Sequence, residues 1–146
     1  MKILLAVSIM LTSSFALSGN ELFDAQFYTK KLANELNDER KNTVDLVGLS
    51  DTVYICSVSA SESAYRMSNR SGISIKRVSL KPRNIGLSTA DAWEQKALIE
   101  LSKKTLTEYY AQTNEPTGKY LRYVKPLIVK EGCLSCHGSD AQVGQD

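Results

Sequence analysis

The sequence predicts an α+β fold, in which helices flank a small sheet. Two amphipathic helical patterns fill the first half of the chain, up to Arg70. Strand patterns follow at residues 72–80 and 119–129, and a third helical pattern lies between them. At 146 residues, the chain has the size of one domain.

The N-terminus has the pattern of a secretory signal peptide. Met1-Lys2 precedes an apolar run that ends at Phe15, and Ala16-Leu17-Ser18 is a small-x-small cleavage pattern. The run is shorter than the roughly 20 apolar residues of a spanning helix. We therefore predict that residues 1–18 are a cleaved signal peptide and that residues 19–146 form a periplasmic domain without a membrane span. An uncleaved anchor is the alternative.

The first helical pattern begins after Asn20, which can cap it, and ends near Gly48. Its apolar residues recur every three or four positions, at Leu22, Ala25, Tyr28, Leu32 and Leu36. This spacing predicts an ordinary packing helix rather than a cofactor site.

The second helical pattern spans residues 52–70 and competes with a local strand preference. Val53, Ile55 and Val58 favour a strand by residue type. The wider spacing favours a helix, since one face would carry Val53, Cys56, Ala60, Ala64 and Met67. We predict the helix, with Ser50 as a possible N-cap and Cys56 directed inward.

The second half of the chain alternates between strand and helix. Apolar and polar side chains alternate over residues 72–80, and Pro82 ends this strand pattern or places it at a sheet edge. A second strand is predicted over residues 119–129, which are rich in residue types that favour strands. A capping pattern over residues 88–91 predicts a helix start, and the turn residues 115–118 precede the second strand. The predicted buried stripe of this helix consists of Trp93, Ala97, Leu98 and Leu101.

The clearest chemical signal is the run Cys133-Leu134-Ser135-Cys136-His137, which contains the only histidine of the chain. This spacing is typical of covalent haem c attachment, in which two thiols bond to the haem and the histidine binds the iron. A zinc site lacks a second Cys/His pair, and a thioredoxin-like redox pair lacks its strand-to-helix context. A disulfide between cysteines three apart would add little stability. We predict one covalent haem c, held by Cys133, Cys136 and His137.

Four segments of the chain resemble a family of exported PAS-like domains with covalent c-type haem, often fused to sensor kinases or chemoreceptors. These segments are VYIC at 53–56, IKRVSLKPRN at 75–84, DAWE at 91–94 and GCLSCHG at 132–138. The resemblance covers most of residues 19–146. It implies a small antiparallel PAS-like sheet with flanking helices around the haem.

The chain departs from the family pattern in two places. Ile85 follows Arg83-Asn84 where relatives usually have proline. Nine residues follow His137, whereas relatives continue through another pair of strands. The resemblance therefore predicts that C-terminal strands are missing from this sequence.

Cys56 is the candidate for the sixth coordination position of the iron. The resemblance implies a cysteine thiolate opposite His137, and Cys56 occupies the matching position. The residues alone also leave Met67, lysines, tyrosines, the N-terminal amine and water. On one helix Cys56 and Met67 would lie about 16 Å apart, so only one of them can reach the iron. An odd thiol in an exported protein favours Cys56, and a small buried hydrophobic residue is the other interpretation.

Further residues are candidates for contacts with the haem. Arg77, Lys81 and Arg83 could bind its propionates, or they could form a solvated basic strand end. Tyr120 and Tyr123 could line its pocket, although packing in the core is the default for aromatic residues on a strand.

Two functions fit these features. Redox or small-ligand sensing follows from the resemblance and from a ligand pair prone to exchange, with a separate signalling protein as partner. A periplasmic single-haem electron carrier with a redox partner is the alternative. The formal net charge of +2 predicts no nucleic-acid partner, and the absence of a second histidine argues against peroxidase chemistry, so we do not expect an enzyme.

Overall fold

The computed structural model describes residues 5–13, 19–82 and 84–128. Within these ranges the chain forms three helices and four strands. The helices are α1 (Gly19–Ser71), α2 (Ile85–Ser88) and α3 (Ala92–Ser102). The strands are β1 (Leu5–Ser13), β2 (Ser74–Val78), β3 (Tyr109–Glu115) and β4 (Gly118–Leu127).

The four strands form one antiparallel sheet in the order β2-β1-β4-β3. β1 lies inside the sheet and pairs with both β2 and β4. Ala6 is opposite Val78 on one side and Pro126 on the other, which fixes the register of all three strands. This arrangement confirms the α+β class and the antiparallel sheet, and it is consistent with a PAS-like fold.

Helix α1 is broken at Gly48, whose backbone angles are φ 78° and ψ 179°. A straight helix would separate Glu39 from Ser63 by about 36 Å at 1.5 Å per residue. Instead the Ser63 hydroxyl donates a hydrogen bond to the Glu39 carboxylate at 3.0 Å. The chain therefore reverses at Gly48, and α1 is an antiparallel hairpin of a first arm (19–47) and a second arm (49–71). The predicted helix end near Gly48 is confirmed.

The sheet is covered on both faces, because successive residues of a strand point to opposite sides. The α1 hairpin covers one face, where a cluster forms from Val7, Ile9, Ala25, Leu32, Ala64, Met67, Ile73, Ile75 and Tyr123. Helix α3 covers the other face, where a second cluster forms from Ala6, Val78, Ala90, Ala97, Leu98, Leu101 and Val124. The structure thus has three layers, with the sheet in the middle.

Most predicted core residues are buried as expected. Ala60, Ala64 and Met67 on the second arm are at most 5% exposed, and Ala97, Leu98 and Leu101 on α3 are at most 1% exposed. Trp93 is only partly buried and packs edge-on against Tyr109 at 5.5 Å between ring centroids. The side chains of residues 53–57, including Cys56, lie outside the described part of the structure.

Two strands and one cap differ from the prediction. β3 has alternating half-buried and exposed residues of mostly polar type, so its apolar pattern was too weak to reveal it. β1 lies in the segment predicted to be a signal peptide, whose removal remains a prediction. The capping box of α3 consists of Asp91 and Glu94 rather than residues 88–91, because residues 85–88 form the separate helix α2.

A buried charge cluster joins α3 to β2 and β4. The Glu94 side chain is fully buried, and its Oε2 lies 2.8 Å from the Lys76 ammonium and accepts the Asp91 backbone N–H at 2.8 Å. Its Oε1 lies 3.4 Å from Arg122 Nη2, and the same Nη2 lies 2.5 Å from Asp91 Oδ2. The Arg122 guanidinium also lies 4.5 Å from the centre of the Trp93 ring. Burial raises the pKa of Asp91, but the Glu94 N–H and the Arg122 charge outweigh it and hold that pKa below its ordinary value.

We expect Glu94→Ala to lower the free energy of unfolding by about 3 kcal/mol, because it leaves the buried Arg122 guanidinium short of one carboxylate and opens the capping box. Urea unfolding followed by circular dichroism measures this change. Glu100→Ala on the same helix is the matched control, since its ion pair with Lys103 is partly exposed and should contribute less than about 1 kcal/mol. Equal losses in the two variants would contradict a stabilising role for the cluster.

Candidate functional site

The C-terminal ends of β2 and β4 lie at the same end of the sheet. Both strands run antiparallel to β1, so they are parallel to each other, and Val78 and Pro126 are level across Ala6. We call the end marked by Val78 and Leu127 the motif end, because β4 leads from it towards the Cys133–His137 run.

The second arm of α1 brings the backbone of Cys56 to the same end. Its Ser68 hydroxyl donates to the Ile75 carbonyl at 3.0 Å and accepts the Ile75 N–H at 2.8 Å. Because only two residues separate the arm from β2, this contact requires the chain to reverse, so the arm runs antiparallel beside β2. Ser61, earlier in this arm, lines the same cavity as Arg77. Cys56 lies five residues before Ser61, about 7.5 Å further towards the motif end.

The loop after β2 also returns to the motif end. The Ser79 N–H donates to the Ser88 carbonyl at 3.0 Å, and Ser79 forms an isolated parallel bridge with Thr89. Between these residues the Asn84 side chain caps α2 by accepting the Leu87 N–H at 3.2 Å. The loop therefore holds the segment around Lys81 beside the end of β2. Arg83 lies outside the described residues.

The length of the connecting chain allows the Cys133–His137 run to lie near the motif end. The Cys133–His137 run lies outside the described residues, which end at Ile128. Cys133 follows Ile128 by five residues, a reach of at most about 18 Å. Two strands separated by a third lie roughly 10 Å apart. The fold thus brings the backbone of Cys56 and the C-terminal end of β4 to one end of the domain.

A cavity of about 590 Å³ lies between the second arm, the edge strand β2 and α2. Tyr65 and Leu87 line it, and both are largely exposed. Arg77 lines it as well and points to the same face of the sheet as Ile75, two residues before it. The Lys76 ammonium is held at 2.8 Å by Glu94. Sequence reasoning missed Tyr65 and Leu87, which carry no signal beyond their apolar character.

Other sequence candidates lie in the core and not at this site. Tyr123 is fully buried and its hydroxyl donates to Glu108 at 2.6 Å, so burial and this carboxylate raise its pKa well above the ordinary range. The Tyr120 hydroxyl bonds to Thr117 at 2.6 Å. Met67 packs in the cluster under the α1 hairpin. The two tyrosines therefore pack in the core, as is the default for aromatic residues on strands.

A family model described as Tll0287-like matches residues 11–146. The chain belongs to the Tll0287-like family. No curated protein and no solved structure matches the chain. The family match and the α+β fold support the resemblance seen in the sequence at the level of family and architecture. Within the described ranges, no helix is long and apolar enough to cross a membrane, and no group of three or more potential ligands could hold a metal ion.

We expect Gly48→Ala to destabilise this Tll0287-like domain by about 1–3 kcal/mol, because its φ and ψ are essentially restricted to glycine. An added Cβ meets no atom within 4 Å, so the cost arises from the backbone alone. Thermal and urea unfolding measure it. Gly86→Ala in α2 is the control, where the nearest atom to the added Cβ lies 3.8 Å away and the change should be near zero or slightly stabilising. A neutral Gly48→Ala would refute the proposed reversal at this residue.

Proposed function

We propose that this Tll0287-like protein is an exported, periplasmic domain that carries one covalent haem c and senses redox state or a small ligand. The observation that supports it best is the convergence of the Cys56 backbone and the exit of β4 at the motif end, in a chain whose family match includes the Cys133–His137 run.

The cavity beside β2, which extends along this strand as far as Arg77, one residue before Val78 at the motif end, is large enough for a haem group. A pocket of several hundred cubic ångströms is the usual size for a cofactor, and the cavity of about 590 Å³ lies in this range. Its lining combines the apolar side chains of Ile73 and Leu87 with the cationic Arg77, a suitable partner for a carboxylate. Lys81 lies in the adjoining loop and is exposed.

Each residue has a distinct role in this proposal. Cys133 and Cys136 would hold the haem covalently through their sulfurs, and His137 would bind its iron through a ring nitrogen. Cys56 would supply a thiolate as a further ligand. When bound, haem supplies a redox-active iron whose potential depends on its axial ligands. Because the backbone of Cys56 lies on a helix that packs against β2, a change in the bonding of its side chain would act on this arm, which is the proposed basis for signalling to a partner protein.

We expect protein from cells competent in cytochrome maturation to be coloured and to carry the covalent mass of one haem. The double variant Cys133→Ser/Cys136→Ser should lose that mass, because no thiol of the motif remains to form a thioether. Intact mass spectrometry measures both and also reports whether residues 1–18 are removed. Cys56→Ser is the matched control among the three cysteines and should keep the covalent mass. Colourless wild-type protein would disprove haem attachment.

We expect Cys56→Ala to change the ferric electronic spectrum, because it removes an anionic axial ligand. Met67→Leu preserves core packing and should leave the spectrum unchanged. Stopped-flow reduction with and without carbon monoxide then tests sensing. A slow spectral change and carbon monoxide binding in the wild type support a sensor, whereas fast reduction without binding supports the alternative electron carrier. Identical ferric spectra of wild type and Cys56→Ala would rule out Cys56 as a ligand.

A further inference from the structure

The strand β1 is buried at residues 6–9 and lies in the segment that the sequence predicts to be removed. Val7 and Ile9 are fully buried under the α1 hairpin, and Ala6 and Ser8 are at most 4% exposed towards α3. Its backbone pairs with β2 over residues 6–10 and with β4 over residues 5–13. A strand in this position cannot also serve as a leader in a membrane.

Loss of β1 would leave two strand edges facing each other. β2 and β4 have no pairing with each other in the described structure, and both pair with β1. Unpaired backbone N–H and C=O groups in such a buried groove are costly, and they provide a template for another strand. The family match begins at residue 11, so the residues that pair with β2 lie before it.

We propose that the gap between β2 and β4 is a strand-acceptor groove, which β1 fills in the unprocessed chain and an extended segment of a partner polypeptide fills after export. The inference rests on the export included in the proposed function and does not depend on haem. Binding by strand addition takes its affinity from backbone hydrogen bonds and its specificity from alternating side-chain pockets.

The position of β1 in the sheet defines which side chains a partner segment must carry. The segment runs antiparallel to both β2 and β4, over at least the five residues that β1 pairs with β2. It carries branched apolar side chains at the positions of Val7 and Ile9, which contact the hairpin cluster. It carries small side chains at the positions of Ala6 and Ser8, which face α3. A segment with charged side chains at the positions of Val7 and Ile9 would bury these charges in the core without a partner.

The proposal can be tested on the full chain, which folds with β1 in place before it is cut. A specific protease site replaces residues 14–18, and the protein is cut after it has folded. A fluorescently labelled synthetic peptide with the sequence of Leu5–Ser13 is then added in excess. We expect the cut protein to exchange its own strand for the label and to bind one peptide per chain, with an unfolding midpoint that rises with peptide concentration. Fluorescence anisotropy and native mass spectrometry measure the uptake.

The control peptide carries Val7→Asp and Ile9→Asp and should bind at least about 100-fold more weakly. Equal uptake of both peptides, no uptake of either, or a cut chain that releases its strand and stays folded without binding peptide would each overturn the acceptor groove. The assay uses protein without haem, so its failure is distinct from failure of haem attachment. Removal of residues 1–18 is measured in a separate experiment, by intact mass spectrometry of the exported protein.

Discussion

The pairing of β1 between β2 and β4 is the constraint on which the rest of the structure depends. It makes β2 and β4 parallel and level, so that Val78 and Leu127 end at one place. It also supplies Val7 and Ile9 to the cluster under the α1 hairpin and Ala6 to the cluster under α3. Without a strand in this position, the two faces of the domain would share no continuous sheet.

The helices are attached to this sheet by two different means. The α1 hairpin packs mainly through apolar side chains, and the hydrogen bonds of Ser68 to the Ile75 backbone set its register along β2. Helix α3 packs through Leu98 and Leu101 but is also fixed by the contacts of Glu94 with Lys76 and Arg122. A fully buried carboxylate needs such partners, since burial of an unpaired charge is costly.

Sequence reasoning succeeded where a pattern was local and strong. The 3.6-residue spacing identified both arms of α1, and Gly48 marked the end of the first, because glycine is typical of helix ends. The structure shows that Gly48 indeed adopts backbone angles that other residues avoid. It failed where the signal depended on partners distant in sequence. β3 is mostly polar and becomes a strand through its pairing with β4, and Glu94 is buried only because Lys76 and Arg122 surround it. The Asp91–Glu94 capping pattern was available in the sequence but was placed three residues too early.

The sequence by itself determined the spacing of Cys133, Cys136 and His137, from which covalent haem c attachment is predicted, because this spacing is a property of the covalent chain. It also determined the amphipathic helices, because their periodicity is local. Only the tertiary structure decided that the Cys56 backbone and the exit of β4 lie at one end of the sheet, since that depends on the reversal at Gly48 and the register of three strands. It also placed Leu5–Ser13 between β2 and β4, a position that the apolar pattern of these residues does not reveal, because the pairing partners are distant in sequence.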